Sequence, residues 1–338
     1  MELSTKDIPQ AVVGTLFAGL VPFIKGSPGI GKSDIVRQVA EELNLKVIDF
    51  RLSQADPTDL QGFPGVTAEG RSTFHPGEMF PIEGDPIPDG FSGWLLFLDE
   101  MNSAPVSVQA ASYKLCLDKQ VGQHKLHSHV AIVAAGNLTT DKAITTRMST
   151  AMQSRLIHLT MAVDPNAWLK WATTAGIDHR ITSFIEYRKE LLHKFDPSHA
   201  GDTFPCPRTW EFLSKQIDGK AKLNHIDMVC AAGTVGEGPA LEFKGFSEIF
   251  DSLPKIKDII NKPKTVRIPN EPSVHYALAG LISYEVTPEN IDSLATFVER
   301  LPADFQVVTW KSSVRRNPEI INAPYIDQWI TKNAQEML

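Results

Sequence analysis

Residues 26–33 read GSPGIGKS, and this stretch decides the fold of the chain. It matches the phosphate-binding loop pattern G-x-x-x-x-G-K-[ST]. Glycines let the backbone curl so that successive N–H groups point inward at a phosphate. The lysine of the pattern brings a positive charge to the β- and γ-phosphates, and the hydroxyl that follows it is a ligand of Mg²⁺. The predicted nucleotide-binding residues of the loop are Gly26, Ser27, Pro28, Gly29, Ile30, Gly31, Lys32 and Ser33.

The segments on either side of the loop predict a strand before it and a helix after it. Residues 20–25 (LVPFIK) are a short apolar run of strand type, and residues 34–44 (DIVRQVAEELN) carry apolar side chains at helical spacing. A helix that begins directly after the loop offers unpaired N–H groups and a favourable dipole to an anion. A Gly-rich turn that ends in a lysine by chance is the alternative, and this context argues against it.

The pattern of the chain changes near residue 163. Before that point, predicted helices alternate with near-continuous apolar strands, at 45–52, 93–100, 131–137 and 155–161. Such alternation predicts an α/β fold with a parallel sheet covered on both faces. From residue 164 onward the periodicity is helical only. Between residues 53 and 93 Gly and Pro are dense, and we expect functional or short irregular elements there.

A pair of acids ends the predicted strand GWLLFLDE at residues 93–100. Hydrolysis of ATP needs a metal on the phosphates and a group beside the attacking water. We predict that Asp99 holds Mg²⁺ together with Ser33, and that Glu100 orients and polarises the water. Two solvated acids at a strand end are the alternative, which the phosphate-binding loop makes less attractive. The acid pair also argues against a small-molecule kinase or a GTPase.

Asn137 ends the next predicted strand, AIVAAGN. Ligands of open parallel sheets sit at the carboxyl ends of the strands. We therefore expect Asn137 to lie beside Lys32 and Asp99, where its amide could hold the attacking water. By itself, an Asn after a strand is only a turn former.

Three arginines are candidates for contact with the phosphates. Arg155, at the start of the last predicted strand, is our choice for an arginine that acts on the γ-phosphate of a neighbouring subunit. Arg147 could instead take that role, line a pore or pair with a carboxylate. Arg208, at the start of a predicted helix, could bind the nucleotide from the helical part of the chain, and a structural ion pair is as good an explanation for it.

Composition excludes several classes of protein. The net charge of −7 and the pI near 5.8 argue against a dedicated nucleic-acid protein and against binding to an anionic membrane. The longest apolar runs are too short to span a bilayer, and the first ten residues lack the pattern of a secretory signal. Three scattered cysteines, with no CxxC pair, indicate a reducing cytoplasm.

Taken in order, the loop, the acid pair, Asn137, Arg155 and the helical second part resemble an AAA+ ATPase. The MoxR-type branch is the most similar, on DLQG (59–62), HPGEMF (75–80), LDEMNSAPVSVQAASYKLCLDKQ (98–120) and AAGN (134–137). The resemblance covers roughly residues 10–215. One departure is that Leu156 follows the arginine where the family more often has Phe.

The resemblance implies a domain plan and a mode of action. It implies an AAA+ α/β core at 1–163 and a helical lid at 164–250. Residues 251–338 match no stretch of the resembled family, and their pattern predicts a C-terminal helical extension without an assigned role. Cofactors would be ATP and Mg²⁺. Subunits would form a ring, usually a hexamer, in which the arginine acts on the neighbouring site. Hydrolysis would remodel a protein client, and family members often work with partners that carry a von Willebrand A domain.

Two elements of the resemblance would face the pore of such a ring. They are the irregular stretch 53–93 and a predicted hairpin at 119–130, which carries His124, His127 and His129. Alternate residues of a hairpin point to opposite faces, so a solvated or substrate-facing hairpin is favoured over a metal site.

Two further functions stay open at the level of sequence. One is a nucleic-acid motor or helicase loader, for which the few basic residues of the hairpin give thin support. The other is a scaffold or switch that binds ATP and hydrolyses little; Glu100 and Arg155 argue against it because a switch could dispense with both.

Overall fold

Strands and helices alternate in the first half of the chain, and helices alone follow in the described part of the second half. A computed structural model describes residues 1–141, 146, 148–198 and 201–333. The chain divides into two compact units, of which the first holds Met1–Asp164 and the second begins at Pro165. The predicted α/β fold with a parallel sheet, followed by an all-α region, is confirmed.

The first unit contains all the strands of the described residues. They are β1 (Leu3–Ser4), β2 (Val21–Lys25), β3 (Leu45–Arg51), β4 (Phe63–Val66), β5 (Ser72–His75), β6 (Gly93–Asp99), β7 (Gln120–Val121), β8 (His124–Lys125), β9 (Val130–Gly136) and β10 (Leu156–Ala162). Its α-helices are α1 (Ile8–Phe17), α2 (Lys32–Glu42), α3 (Pro57–Gln61), α4 (Val106–Asp118) and α5 (Thr150–Gln153).

Within the described residues, a six-stranded parallel sheet has the order β1-β10-β2-β9-β6-β3. Its register aligns the carboxyl ends of the central strands: Lys25 pairs with Gly136, and Arg51 pairs with Asp99. The residues that follow β2, β6 and β9 therefore meet at one edge of the sheet. This edge is where the sequence predicts the nucleotide site.

Apolar side chains cover both faces of the sheet. Along β6, Leu96 and Leu98 belong to one buried cluster, whereas Leu95 and Phe97 belong to the cluster on the opposite face. Strands buried on both faces read as continuous apolar runs, because neither face can carry polar residues. That is why the strands could be recognised from hydrophobicity alone.

The stretch 53–93 holds short elements of its own. They are α3 and the antiparallel hairpin β4–β5, in which Phe63 pairs with His75. A second small hairpin, β7–β8, falls inside the predicted hairpin at 119–130. These elements escape periodicity analysis because they are too short to show a repeat.

Local contacts fix where two helices of the first unit begin. α4 begins at Val106, because Met101–Ser103 is a 3₁₀ turn and Ala104 precedes Pro105, where the α conformation is disfavoured. α5 begins at Thr150, directly after Ser149, whose hydroxyl accepts from the N–H of Met152.

The second unit is helical throughout its described residues. Its α-helices are α6 (Pro165–Thr174), α7 (His179–Tyr187), α8 (Pro207–Ile217), α9 (His225–Val235), α10 (Glu237–Ser252), α11 (Ile256–Asn261), α12 (Pro272–Glu285), α13 (Ile291–Val298), α14 (Ala303–Arg316) and α15 (Pro324–Lys332). The division of this unit into 164–250 and 251–338 stays a prediction. No helix among the described residues combines the length and the apolar character needed to cross a membrane.

Candidate nucleotide-binding site

The loop at 26–31 joins β2 to α2 in a conformation that depends on glycine. Gly29 and Gly31 have φ angles of 75° and 96°, which side chains rarely adopt. Gly26 is enclosed, because an added Cβ would lie 3.2 Å from the carbonyl oxygen of Met161. The loop thus delivers the chain directly into the first turn of α2, whose N-terminal N–H groups are suited to an anion.

Lys32 is buried, and its ammonium group is surrounded by acceptors. Its Nζ donates to the carbonyl oxygens of Gly26 at 2.7 Å and Ser27 at 2.9 Å, and to Oδ1 of Asn137 at 3.2 Å. A buried ammonium group is costly unless its donors are paired. Lys32 and Asn137 are in contact, as the sequence predicts.

Ser33 and Asp99 are in contact across the site. The hydroxyl of Ser33 donates to Oδ2 of Asp99 at 3.3 Å, and the N–H of Glu100 donates to Oδ1 of Asp99 at 2.8 Å. Burial raises the pKa of Asp99, and the nearby Glu100 and Asp49 carboxylates add to this rise, against a lowering by the N–H of Glu100 and by Lys32. The negative charge of Asp99 is therefore only partly balanced by its surroundings, and a cation beside it would stabilise the ionised form.

Glu100 has a left-handed backbone conformation, with φ 55° and ψ 33°. Such a conformation is uncommon for a residue other than glycine and is found at functional sites where surrounding contacts hold it. The carboxylate accepts a short hydrogen bond from the hydroxyl of Ser53, which follows β3. The position of the Glu100 carboxylate is thus set by its own left-handed backbone conformation and by Ser53, in the turn after β3.

Asn137 is fixed through its backbone by Asn102. The side chain of Asn102 donates from Nδ2 to the Asn137 carbonyl oxygen at 2.7 Å, and its Oδ1 accepts from the Asn137 N–H at 3.0 Å. Asn102 is buried, and Gly136 leaves room for it: an added Cβ on Gly136 would overlap Oδ1 of Asn102 and lie 2.9 Å from Phe23. This clamp, the pair of hydrogen bonds from Asn102, occupies only the backbone of Asn137. The Asn137 side chain can therefore contact Lys32.

The donors at this edge fit Mg²⁺ and a nucleotide triphosphate. Mg²⁺ prefers oxygen ligands and in such sites takes only one or two from the protein, beside water and phosphate oxygens. The adjacent Ser33 hydroxyl and Asp99 carboxylate supply that number. Lys32 and the N-terminus of α2 supply the positive charge that phosphates need.

Arg155 does not join this group within its own chain. Leu156, the next residue, pairs with Val21 at the start of β2, so Arg155 lies at the amino edge of the sheet. The guanidinium packs 4.8 Å above the ring of Tyr113 and donates to the Ala151 carbonyl oxygen at 2.8 Å. Its Nε is enclosed with no acceptor in the described residues.

The two other arginines lie elsewhere. Arg147 falls outside the described residues. Arg208 belongs to the second unit, where it is exposed on the first turn of α8.

The histidines of the second hairpin contact carbonyl groups. His124 lies 3.0 Å from the Phe74 carbonyl oxygen, and His129 lies 3.0 Å from that of Ser92. Among the residues described, no three His, Cys, Asp or Glu side chains converge on one point as a metal centre of that kind needs.

Sequence analysis missed two residues of the site, Ser53 and Asn102. Asn102 stands three residues after Asp99, in a stretch read as the connection to a helix. Ser53 opens the irregular stretch. Neither type of residue is informative without its partner, so only the tertiary contact reveals it.

One family model matches part of the chain. Residues 22–156 match the model of the AAA domain, dynein-related subfamily. No curated protein matches the chain in sequence.

Two solved structures match the chain over most of its length at low sequence identity. A protein of Cytophaga hutchinsonii provisionally described as an ATPase is 17% identical, with 98% of this chain and 89% of that one covered and a TM-score of 0.37. A single-site mutant of RuvB from Thermotoga maritima is 14% identical, with 97% and 86% covered and a TM-score of 0.33.

Proposed function

We propose that this chain is a Mg²⁺-dependent ATPase of the AAA+ class, because residues 22–156 match the model of the AAA domain, dynein-related subfamily. The observation that carries the proposal is the convergence of Lys32, Ser33, Asp99, Glu100 and Asn137 at one edge of the sheet. Contacts of 3.2 Å between Lys32 and Asn137 and 3.3 Å between Ser33 and Asp99 support it.

Each residue has a role in hydrolysis. Lys32 and the loop N–H groups, from Gly26 to Ser33, bind the β- and γ-phosphates. Ser33 and Asp99 hold the metal, and bound Mg²⁺ would neutralise charge on the phosphates. Glu100 accepts a proton from the attacking water, and Asn137 orients that water by a hydrogen bond.

Lys32 donates to the loop carbonyl oxygens of Gly26 and Ser27. These bonds hold the ammonium group at the loop, beside the N–H groups proposed to bind the phosphates, so its position needs little further ordering.

We further propose that the site is completed by a second subunit. Arg155, remote from the loop of its own chain, would reach the γ-phosphate bound by a neighbour, and Arg208 would contact nucleotide from the helical lid. A ring of subunits, most simply a hexamer, satisfies this arrangement. In such arrangements, arginine contacts contribute about 10³–10⁵ in rate.

The work done by hydrolysis is proposed from the resemblance to the MoxR-type branch. It is the remodelling or activation of a protein client, with a von Willebrand A protein as a candidate partner. Three unpaired cysteines are in keeping with a reducing cytoplasm as its location.

A mixing experiment tests the shared site. Lys32→Ala removes nucleotide binding but leaves Arg155, whereas Arg155→Ala leaves the loop intact. Each variant alone should hydrolyse ATP at a small fraction of the wild-type rate. In mixed rings, the loop of one variant meets the arginine of the other, so activity per subunit should recover.

Protein concentration provides the companion measurement. ATPase activity per subunit should rise with concentration and reach a plateau as rings assemble, and sizing at each concentration shows whether they do. Arg71→Ala, which removes an exposed arginine, is the control and should keep full activity. Full activity of Arg155→Ala, or mixtures that assemble but recover nothing, would refute the shared site.

A further inference from the structure

A polar cleft lies within the second unit, between α6, α7, α12 and α14. Its volume is about 360 Å³ including open solvent, and the centre of a water-sized group can occupy about 20 Å³ of it, room for roughly one such group. The helices α7 and α12 approach closely here: a Cβ added to Gly280 would overlap the Ser183 hydroxyl and lie 3.0 Å from its Cβ. The cleft is therefore bounded by tightly packed helices.

Two adjacent arginines of α14, Arg315 and Arg316, line this cleft. Neither forms an ion pair or a hydrogen bond with any described residue, and Nε of Arg316 is enclosed with no acceptor. Burial lowers the pKa of both guanidinium groups, against partial compensation by Glu186 at Arg315 and by Tyr284 and Asp178 at Arg316. Both guanidinium groups are thus partly buried, and no carboxylate of the described residues is in contact with either of them.

Arg180, in the same unit, shows how a buried arginine is normally accommodated. It forms an ion pair with Asp178 at 2.6 Å and donates to the carbonyl oxygens of Lys220 and Ile217. All parts of that guanidinium have acceptors, as burial requires. The contrast with Arg315 and Arg316 shows that this unit can satisfy an arginine when its role is structural.

The helix itself accounts for only part of this arrangement. Cations near a helix C-terminus are favoured by the dipole, and Arg316 lies 5.6 Å from the centroid of the Tyr284 ring. Neither effect supplies an acceptor for Nε of Arg316 or a hydrogen-bond partner for Arg315 among the described residues.

A hydroxyl on the same face of α14 adds a third donor. Ser312 precedes Arg315 and Arg316 by three and four residues, the spacing that puts side chains on one face of a helix. Ser312 also lines the cleft. By contrast, the hydroxyls of Thr182, Ser183 and Ser283 already donate to helix carbonyls.

We propose that this cleft is a binding site for a small oxyanion, which Arg315, Arg316 and Ser312 would grip by the oxygens of one phosphoryl or carboxylate group. The fork of donors on each guanidinium matches the oxygens of such groups. The cleft has room for roughly one water-sized group, which suits an oxygen of such an anion. The site is distinct from the phosphate-binding loop, which lies in the other unit.

Glu186 tunes the strength of this site. Its carboxylate lines the same cleft and forms an ion pair with Lys189 at 3.5 Å. A negative charge there repels an incoming anion. Glu186→Gln should therefore tighten binding, whereas loss of the arginines should weaken it.

The test measures binding of inorganic phosphate to the full chain. Lys32→Ala with Ser33→Ala serves as the background, so that the loop does not contribute a second phosphate site. Calorimetry and the rise in unfolding temperature with phosphate, against sodium chloride of equal ionic strength, report the affinity. In this background phosphate should still bind. Acetate in place of phosphate shows whether a carboxylate suffices.

Variants give effects in opposite directions. Arg315→Gln with Arg316→Gln should abolish saturable binding, and Glu186→Gln should lower the dissociation constant about threefold to tenfold. Lys311→Gln removes a charge from the same helix outside the cleft lining and should change nothing. Equal binding by all variants, or stabilisation no greater than that by chloride, would overturn the proposal. Glu186→Gln keeps the test decisive even if the double variant fails to fold.

Discussion

The phosphate-binding loop of the first unit and the α14 cleft of the second unit both remove cationic side chains from water, but they compensate the charge differently. Lys32 has three acceptors within 3.2 Å. Neither Arg315 nor Arg316 has a hydrogen-bond acceptor or an ion-pair partner among the described residues, and Nε of Arg316 is enclosed without one. The loop is thus a site organised in advance around its own backbone, whereas the cleft holds charges that an external anion would compensate.

The two regions also differ in how the chain builds them. The loop is a continuous octapeptide whose conformation depends on glycine. The cleft is formed by helices that are distant in the sequence and meet only through packing. Pre-organised electrostatics are the usual basis of catalysis, because little reorganisation is left to the moment of reaction.

The largest effect is expected from Glu100→Gln. If Glu100 is the general base, as proposed, its removal should lower the ATPase rate by about 10²–10⁴-fold, with nucleotide binding retained. Steady-state hydrolysis and equilibrium binding of ATP measure the two separately. Glu41→Gln, which neutralises an exposed acid of the same unit, is the matched control. Wild-type turnover in Glu100→Gln would remove Glu100 from the catalytic group.

A large effect on stability is expected at His179, in the second unit. Burial lowers the pKa of His179 to about 4 from an ordinary value of 6.5, against an opposing effect of Asp178, and Arg180 and Arg316 lower it further. As the pH falls below 6.5, the unfolded chain takes up a proton that the folded chain refuses until about pH 4. The free energy of unfolding should therefore fall across this window, by at most about 3 kcal/mol.

The variant His179→Gln isolates this contribution. Glutamine does not titrate, so the wild type should lose more stability than the variant between pH 7 and pH 4. Urea unfolding at a series of pH values, followed by far-ultraviolet circular dichroism, gives the difference. Parallel pH profiles would show that His179 titrates normally and that the second unit does not shield it.

A further effect on the first unit is expected from Asn102→Ala. Loss of the clamp frees the backbone of Asn137, and misplacement of a catalytic group by about 1 Å can cost about 10²-fold in rate. We expect kcat to fall with little change in KM for ATP. Asn102→Asp keeps the acceptor for the Asn137 N–H but sets a carboxylate oxygen against the Asn137 carbonyl oxygen, so it should not preserve kcat either. An unchanged kcat in Asn102→Ala would limit Asn102 to a structural role.

The smallest effect, and the one that most directly tests compensation, is expected from Asp99→Asn. Because the pKa of Asp99 is raised by burial, its charged form is disfavoured in the folded chain. Without ligand at neutral pH, the variant should unfold a few degrees above the wild type. In Mg²⁺ and ADP this order should reverse, since the metal ligand is gone. A variant that is less stable under both conditions would contradict this account.

Particular residues show which contacts can be predicted from the sequence. The loop glycines, the acid pair after β6 and the position of Asn137 after β9 follow from local pattern and from the rule that parallel strands end at one edge. The contact of Lys32 with Asn137 spans 105 positions and was nonetheless predictable from that rule. The clamp of Asn102 on Asn137 spans only 35 positions and was not, because no pattern marks a buried asparagine.

The sequence by itself determined the chemistry of the first unit, since a phosphate-binding loop needs contiguous glycines, a lysine and a hydroxyl whose order the chain fixes covalently. The tertiary structure alone decided the rest. It paired Ser53 with Glu100, carried Arg155 to the edge of the sheet opposite the loop, and brought Arg315, Arg316 and Glu186 to one cleft. These relations depend on strand register and helix packing, which arise from the burial of apolar surface over the whole unit and leave no local trace in the residues concerned.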